Sequence, residues 1–197
     1  MYPIAFEADP EIEGRNRLTT LLRGIVVIPW AVVSLFWLLA AQILAVAAWF
    51  AILVTGRYPQ GMYEFNVRAL RMIARVNAFY YLLTDRFPSF GGDPDTAYPV
   101  RLEAAPPKQT YDRVRTGLRL IVGIPVILLA YVHAVIGSVC SFLGWFAIVF
   151  AGQLPEGLWR PIRSAVAFQA RAIAYFLLLT EDYPPFDVEP AAERGGA

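Results

Sequence analysis

No aspartate, glutamate, lysine or arginine occurs in residues 24–56 or in residues 120–155. Nothing else in the sequence restricts the possible folds so strongly. An uncharged stretch of more than about 18 apolar residues reads as membrane-embedded helix, and these windows hold 33 and 36 residues. The whole chain leans the same way, with 57% hydrophobic and only 17% charged residues and a mean hydropathy of +0.49. Its opening carries Glu7, Asp9, Glu11 and Glu13 where a secretory signal has basic residues, so both runs are expected in the mature protein. A net charge of +1 excludes the basic footprint of a nucleic-acid binder.

The two runs belong to a tandem duplication. Tyr2-Pro3 returns as Tyr98-Pro99, Arg23 and Pro29 as Arg119 and Pro125, and the Trp49-Phe50-Ala51-Ile52 segment as Trp145-Phe146-Ala147-Ile148. Gly56, Pro59 and Gly61 recur as Gly152, Pro155 and Gly157, and Leu82-Leu83-Thr84 as Leu178-Leu179-Thr180. Every pair is offset by 96 without a gap, and 29 of 89 aligned positions are identical. The units run over 1–90 and 98–186, joined by a turn-rich linker at 91–97 and followed by a tail at 187–197 expected to be disordered. Each opens with a short apolar alternation, Ile4 and Phe6 or Val100 and Leu102, suited to a brief strand lying on the membrane-facing surface and pairing between units.

A helix of 33 residues is about 50 Å long, against a hydrocarbon core of about 30 Å. Arginines flank both ends of each run: Arg15, Arg17 and Arg23 precede the first, and Arg57, Arg68, Arg71 and Arg75 follow it. The positive-inside rule places both ends on the cytoplasmic side. The expected architecture is therefore all-α and membrane-integral. A transmembrane hairpin occupies about 18–56 and 114–152 in preference to a single pass, turning near Ala41-Gln42 and Gly137-Ser138. Gly56 and Gly152 suit the left-handed stop of a helix, Pro59 and Pro155 forbid its continuation, and Pro29 and Pro125 remove a donor near its start.

A third helix is expected at about 61–84 and 157–180. Glu64, Arg68, Arg71 and Arg75 share one stripe at spacings of four, three and four, the pattern of an interfacial amphipathic helix with its arginines among lipid headgroups. Arg23, Arg75, Arg119 and Arg171 recur at the repeat offset. With Arg68 and Arg71 they are the candidate contacts for anionic phospholipid or a membrane partner. His133 aligns with Trp37 and Cys140 with Leu44, so neither single residue is kept by the duplication. No catalytic residue, metal site or cofactor is expected.

The tandem layout resembles the bacterial membrane family called domain of unknown function 4389. The likeness rests on the Tyr-Pro opening, the arginine-led apolar run, Trp-Phe-Ala-Ile followed by Gly-x-x-Pro, and Leu-Leu-Thr-[Asp/Glu] followed by Pro-x-Phe. It implies a small protein of the bacterial cytoplasmic membrane, here with both termini cytoplasmic. The expected function is a non-catalytic accessory or scaffold subunit that binds anionic lipid, a membrane partner or a second copy. The alternative is a small transporter or lipid-handling protein with a site between the two hairpins, which a polar cavity lined there by Gln42, Ser34, Ser138 or His133 would favour.

Overall fold

The computed structural model describes residues 2–185; the tail expected over 187–197 lies outside them. The first unit forms β1 (Ile4–Ala8), α1 (Arg17–Val26), α2 (Ile28–Thr55) and α3 (Gln60–Tyr80). The second forms β2 (Val100–Ala104), α4 (Arg113–Gly117), α5 (Arg119–Val122), α6 (Ile124–Ala151) and α7 (Glu156–Phe176).

The hairpin turn expected inside each apolar run is not there. α2 passes through Ala41 and Gln42, and α6 through Gly137 and Ser138, each as one 28-residue helix. One Gln costs a few tenths of a kcal/mol of helix propensity and a Gly-Ser pair about 1.5 kcal/mol. A turn would instead strip eight backbone groups of their partners in apolar surroundings. Continuity wins. Each apolar run ends and turns back at Gly56 or Gly152, whose left-handed φ of 71° and 76° closes the long helix, with the amide capping the carbonyl of Ile52 or Ile148. Pro29 and Pro125 sit in the first turn of α2 and α6, where a missing N–H costs nothing, and mark joints at Val27 and Gly123. The second unit has a further joint at Leu118, beside Gly117 where the first unit has Leu21.

The strands pair as expected, antiparallel and across the duplication, with Phe6 opposite its own repeat equivalent Leu102. A pseudo-twofold axis therefore passes through that pair. The same axis runs the long helices antiparallel: the amide of Arg15 donates to Gly152 O (3.0 Å) and that of Tyr111 to Gly56 O (2.9 Å). Trp49 Nε1 donates to Thr116 O (2.9 Å), and Trp145 Nε1 to Thr20 O (3.0 Å). The repeated tryptophans thus tie each unit to the other.

Three layers result. The sheet lies on α3 and α7, which touch each other, and these in turn pack on α2 and α6. The inner stripe of α2 is small, with Ala41, Ala45 and Ala48 buried. At Gly137 of α6 a Cβ would come within 2.7 Å of Ala165 Cβ on α7, so only glycine admits this approach. The interfacial placement expected for the third helices needs correcting. The helices exist, but protein fills their apolar flanks: Phe65 stacks on Trp37 (5.1 Å), and Met72, Val76 and Phe79 enclose Val27. They are the middle layer. They also end earlier than expected, because Tyr81–Leu83 and Leu177–Leu179 form a capping turn with Leu82 and Leu178 left-handed (φ 65° and 64°).

Candidate functional site

The capping turn after α3 gathers most of the chemistry of the first unit. A left-handed leucine costs about 1 kcal/mol or more, yet it is kept in both repeats because it turns a row of carbonyls inward. Arg15 donates to Leu82 O (2.9 Å) and to Asp85 Oδ1 (2.8 Å). Arg23 reaches Phe79 O, Thr84 O and the same Asp85 oxygen, and its guanidinium lies over the Phe79 ring at 4.5 Å. The other oxygen, Asp85 Oδ2, accepts the amide of Asn16, the residue that caps α1. One carboxylate therefore anchors two arginines and a helix start.

The second unit keeps the frame with fewer charges. Tyr111 replaces Arg15. Glu181 replaces Asp85 and accepts the Asp112 amide (2.6 Å) and Lys108 Nζ (3.1 Å). Arg119 donates to Thr180 O and stacks over Tyr175 at 3.9 Å.

Of the arginines singled out from sequence, Arg23, Arg75 and Arg119 are 3%, 4% and 4% exposed. They are closed off from headgroups, which corrects the expectation that they contact lipid. Arg75 does lie on the polar stripe of α3, but residues of the linker cover it: it donates to Ser89 Oγ (3.0 Å) and Asp93 O (2.7 Å), and faces the Tyr98 ring. Burial pushes the Tyr98 phenol well above its usual range, with Arg75 pulling the other way. Arg171 makes the equivalent ring contact with Tyr2 at 5.5 Å. It is half-buried, and its Nε and Nη1 have no acceptor among the described residues.

Arg68 and Arg71 differ from these. Arg68 is exposed beside Asp93 (3.5 Å). Arg71 is half-buried and donates to Leu102 O (3.0 Å). Burial, and then the nearby Arg75, push its guanidinium below the ordinary value. With Gln60, Glu64 and Asp93 they line a cleft of about 400 Å³ between α3, the linker and the segment after β2, and Arg71 with Arg75 lines a second of about 290 Å³ beside Asp95 and Glu103.

Of the four polar residues named for a cavity between the repeats, one lines such a cavity. Ser34 donates to Ala31 O within its own helix, Gln42 is exposed, and His133 stacks on Phe168 at 4.2 Å with Nδ1 beside Leu129 O. Ser138 lines a cavity of about 460 Å³ between the repeats, with Ser141 and Trp145 of the second unit facing Arg23 and Tyr81 of the first. His133 thus acts as an aromatic packing residue. His133→Phe is expected to keep stability within about 1 kcal/mol, as for a volume-conserving exchange, and to leave any phenotype unchanged. A loss of phenotype at normal membrane abundance would contradict this.

Sequence reasoning missed Asp85, Glu181, Trp49 and Trp145 as organisers, although the repeated Leu-Leu-Thr-[Asp/Glu] and Trp-Phe-Ala-Ile motifs carried the signal. Two helices, Ile28–Thr55 and Arg119–Ala151, are long and apolar enough to cross a membrane. No curated protein and no solved structure matches the chain. The family model described as Domain of unknown function (DUF4389) matches twice, over residues 17–91 and 113–187, the same offset of 96 that relates the repeats, and the chain belongs to that family as two tandem copies.

Proposed function

We propose that the chain is a non-catalytic protein of a bacterial cytoplasmic membrane, an accessory or scaffold subunit that holds an acidic partner against the membrane surface. The supporting observation is its division into two chemically opposite sides. The outer faces of α1, α2 and α4–α6 expose large apolar side chains from Leu18 to Val54 and from Val114 to Phe150. The charges gather on the sheet, the linker, the open stripes of α3 and α7 and the ends of the long rods. Monomeric soluble proteins rarely expose apolar patches beyond a few hundred Å², so a surface of this extent calls for lipid. Flanking arginines at both ends of each run favour cytoplasmic termini.

On the polar side, Arg68 and Arg71 supply two guanidinium groups next to a cleft. Arg71, disfavoured as a cation by burial and by Arg75, is stabilised by an added carboxylate or phosphate. The Arg68→Glu/Arg71→Glu variant is expected to stay in the membrane fraction at parental levels while losing partners that co-purify in mild detergent. Retention of the same partners by the double reversal would remove this face as the docking surface.

A further inference from the structure

We infer that the protein lies flat in a single leaflet, with its long helices in the membrane plane and its pseudo-twofold axis along the bilayer normal. The inference rests on the membrane residence proposed above and adds how the molecule sits. Its occupant for the apolar face is one leaflet of a phospholipid bilayer.

Length is the first argument. The exposed apolar stripe of the first long rod runs from Leu18 to Val54, and that of the second from Val114 to Phe150. At 1.5 Å per residue the unbroken 28-residue helices α2 and α6 alone are each about 42 Å long. Crossing a core of about 30 Å at that length requires a tilt of roughly 44°, beyond the observed range of about 0–40°. A stripe lying in the plane has no length limit.

Symmetry is the second. Antiparallel rods exchanged by a twofold axis must run perpendicular to it. The axis pierces the sheet at Phe6 and Leu102, so the sheet sits level with the middle of the molecule. Upright rods would carry that sheet at mid-depth. Its side chains include Glu7, 68% exposed, and Arg101, with Asp9, 54% exposed, just beyond β1. Even the lower scales put an ionised residue at the bilayer centre at about 2.5–3.5 kcal/mol. In the flat orientation the sheet is the layer farthest from the apolar face and is wholly in water.

The rim is the third. Arg17 lies against Gly152 at the end of α6, and Arg113 against Gly56 at the end of α2. These exposed arginines, with Arg57 and Arg115, mark both ends of the apolar face. There Arg17 and Arg113 stand beside the negative ends of α6 and α2, and all four are placed to meet anionic headgroups at one level. The same placement accounts for arginine at both ends of each uncharged run without any turn between them.

The test uses the full chain with Cys140→Ala as background and single cysteines at Glu13, Gln60 and Glu103. Glu13 and Gln60 mark opposite ends of the first rod, and Glu103 lies on the sheet. All three are expected to react with a membrane-impermeant maleimide from the same side in sealed vesicles of defined orientation. Nitroxides at Leu18, Leu35 and Phe50 are expected to share one depth by oxygen against nickel-chelate accessibility, to within about 5 Å, a fraction of a leaflet of about 15 Å. Labelling of Glu13→Cys and Gln60→Cys from opposite faces, or a depth maximum at Leu35 alone, overturns the flat seat while leaving membrane residence intact. Recovery of the protein in the soluble fraction without detergent defeats both.

Discussion

Asp85→Ala destabilises the fold by about 3–5 kcal/mol, the range for removing one partner of a buried ion pair and leaving the other charge uncompensated. The cost is high because Asp85 serves three donors: side chains 1% and 4% exposed on Arg15 and Arg23, and the Asn16 amide. The equivalent Glu181→Ala costs less, about 1–2 kcal/mol. Its cation partner Lys108 is 44% exposed and turns to water, while Arg119 keeps Thr180 O and the Tyr175 ring. Urea midpoints of the two variants in the same detergent check the order. Equal midpoints would mean that Arg15 and Arg23 find other acceptors.

Gly92→Ala is the second large effect, about 3 kcal/mol. A Cβ there would stand 1.9 Å from the carbonyl oxygen of Arg68 and 2.4 Å from its carbon. Both are backbone atoms in the middle of α3 and cannot step aside, so the linker must lift. Overpacking costs about 1–3 kcal/mol. Lifting the linker also withdraws Gly91 O and Asp93 O from the buried Arg75, for a similar sum. Gly157→Ala is the control, since nothing lies within 4 Å of its Cβ position and its φ is ordinary. It should be neutral or slightly stabilising through the unfolded chain. Denaturation midpoints report both, and a Gly92→Ala protein as stable as the parent would show that the linker does not clamp α3.

Much of this was legible in the sequence for identifiable reasons. A fixed offset of 96 announces two equivalent units, and Gly56 with Pro59 states a stop in residues that have few other uses. The alternation at Ile4 and Phe6 was enough to find a strand and its partner, but not its side: the sheet lies on α3 and α7, away from the exposed apolar faces, and not on the membrane-facing surface expected for it. The interior of the apolar runs was not legible. Where every residue from Ile43 to Ala48 is apolar, no period separates a turn from a continuous helix, and only the backbone's need for partners decides.

The arginines failed differently. Spacing puts Arg75 on the same stripe as Arg68 and Arg71, but it cannot reveal that residues 89–98 fold back over one of the three. Arg23 is buried by carbonyls that converge through a left-handed Leu82, a conformation that leucine does not advertise. The site was thus readable as a list of candidates, while its sorting into inside and outside depended on contacts across more than fifty residues of chain.

The exchange of helix ends across the pseudo-twofold axis has a consequence for mass action. Neither copy finishes itself: the start of each long helix is completed by the end of the other, each repeated tryptophan bonds the opposite threonine carbonyl, and each strand has its partner in the other copy. This is the geometry of an isologous dimer, in which one patch meets itself. Two separate subunits of that kind would associate in proportion to their abundance, and at low abundance would come apart. The linker removes that dependence. It turns the encounter into an intramolecular one, at an effective concentration on the order of millimolar, and fixes the stoichiometry at one to one however few molecules the cell makes.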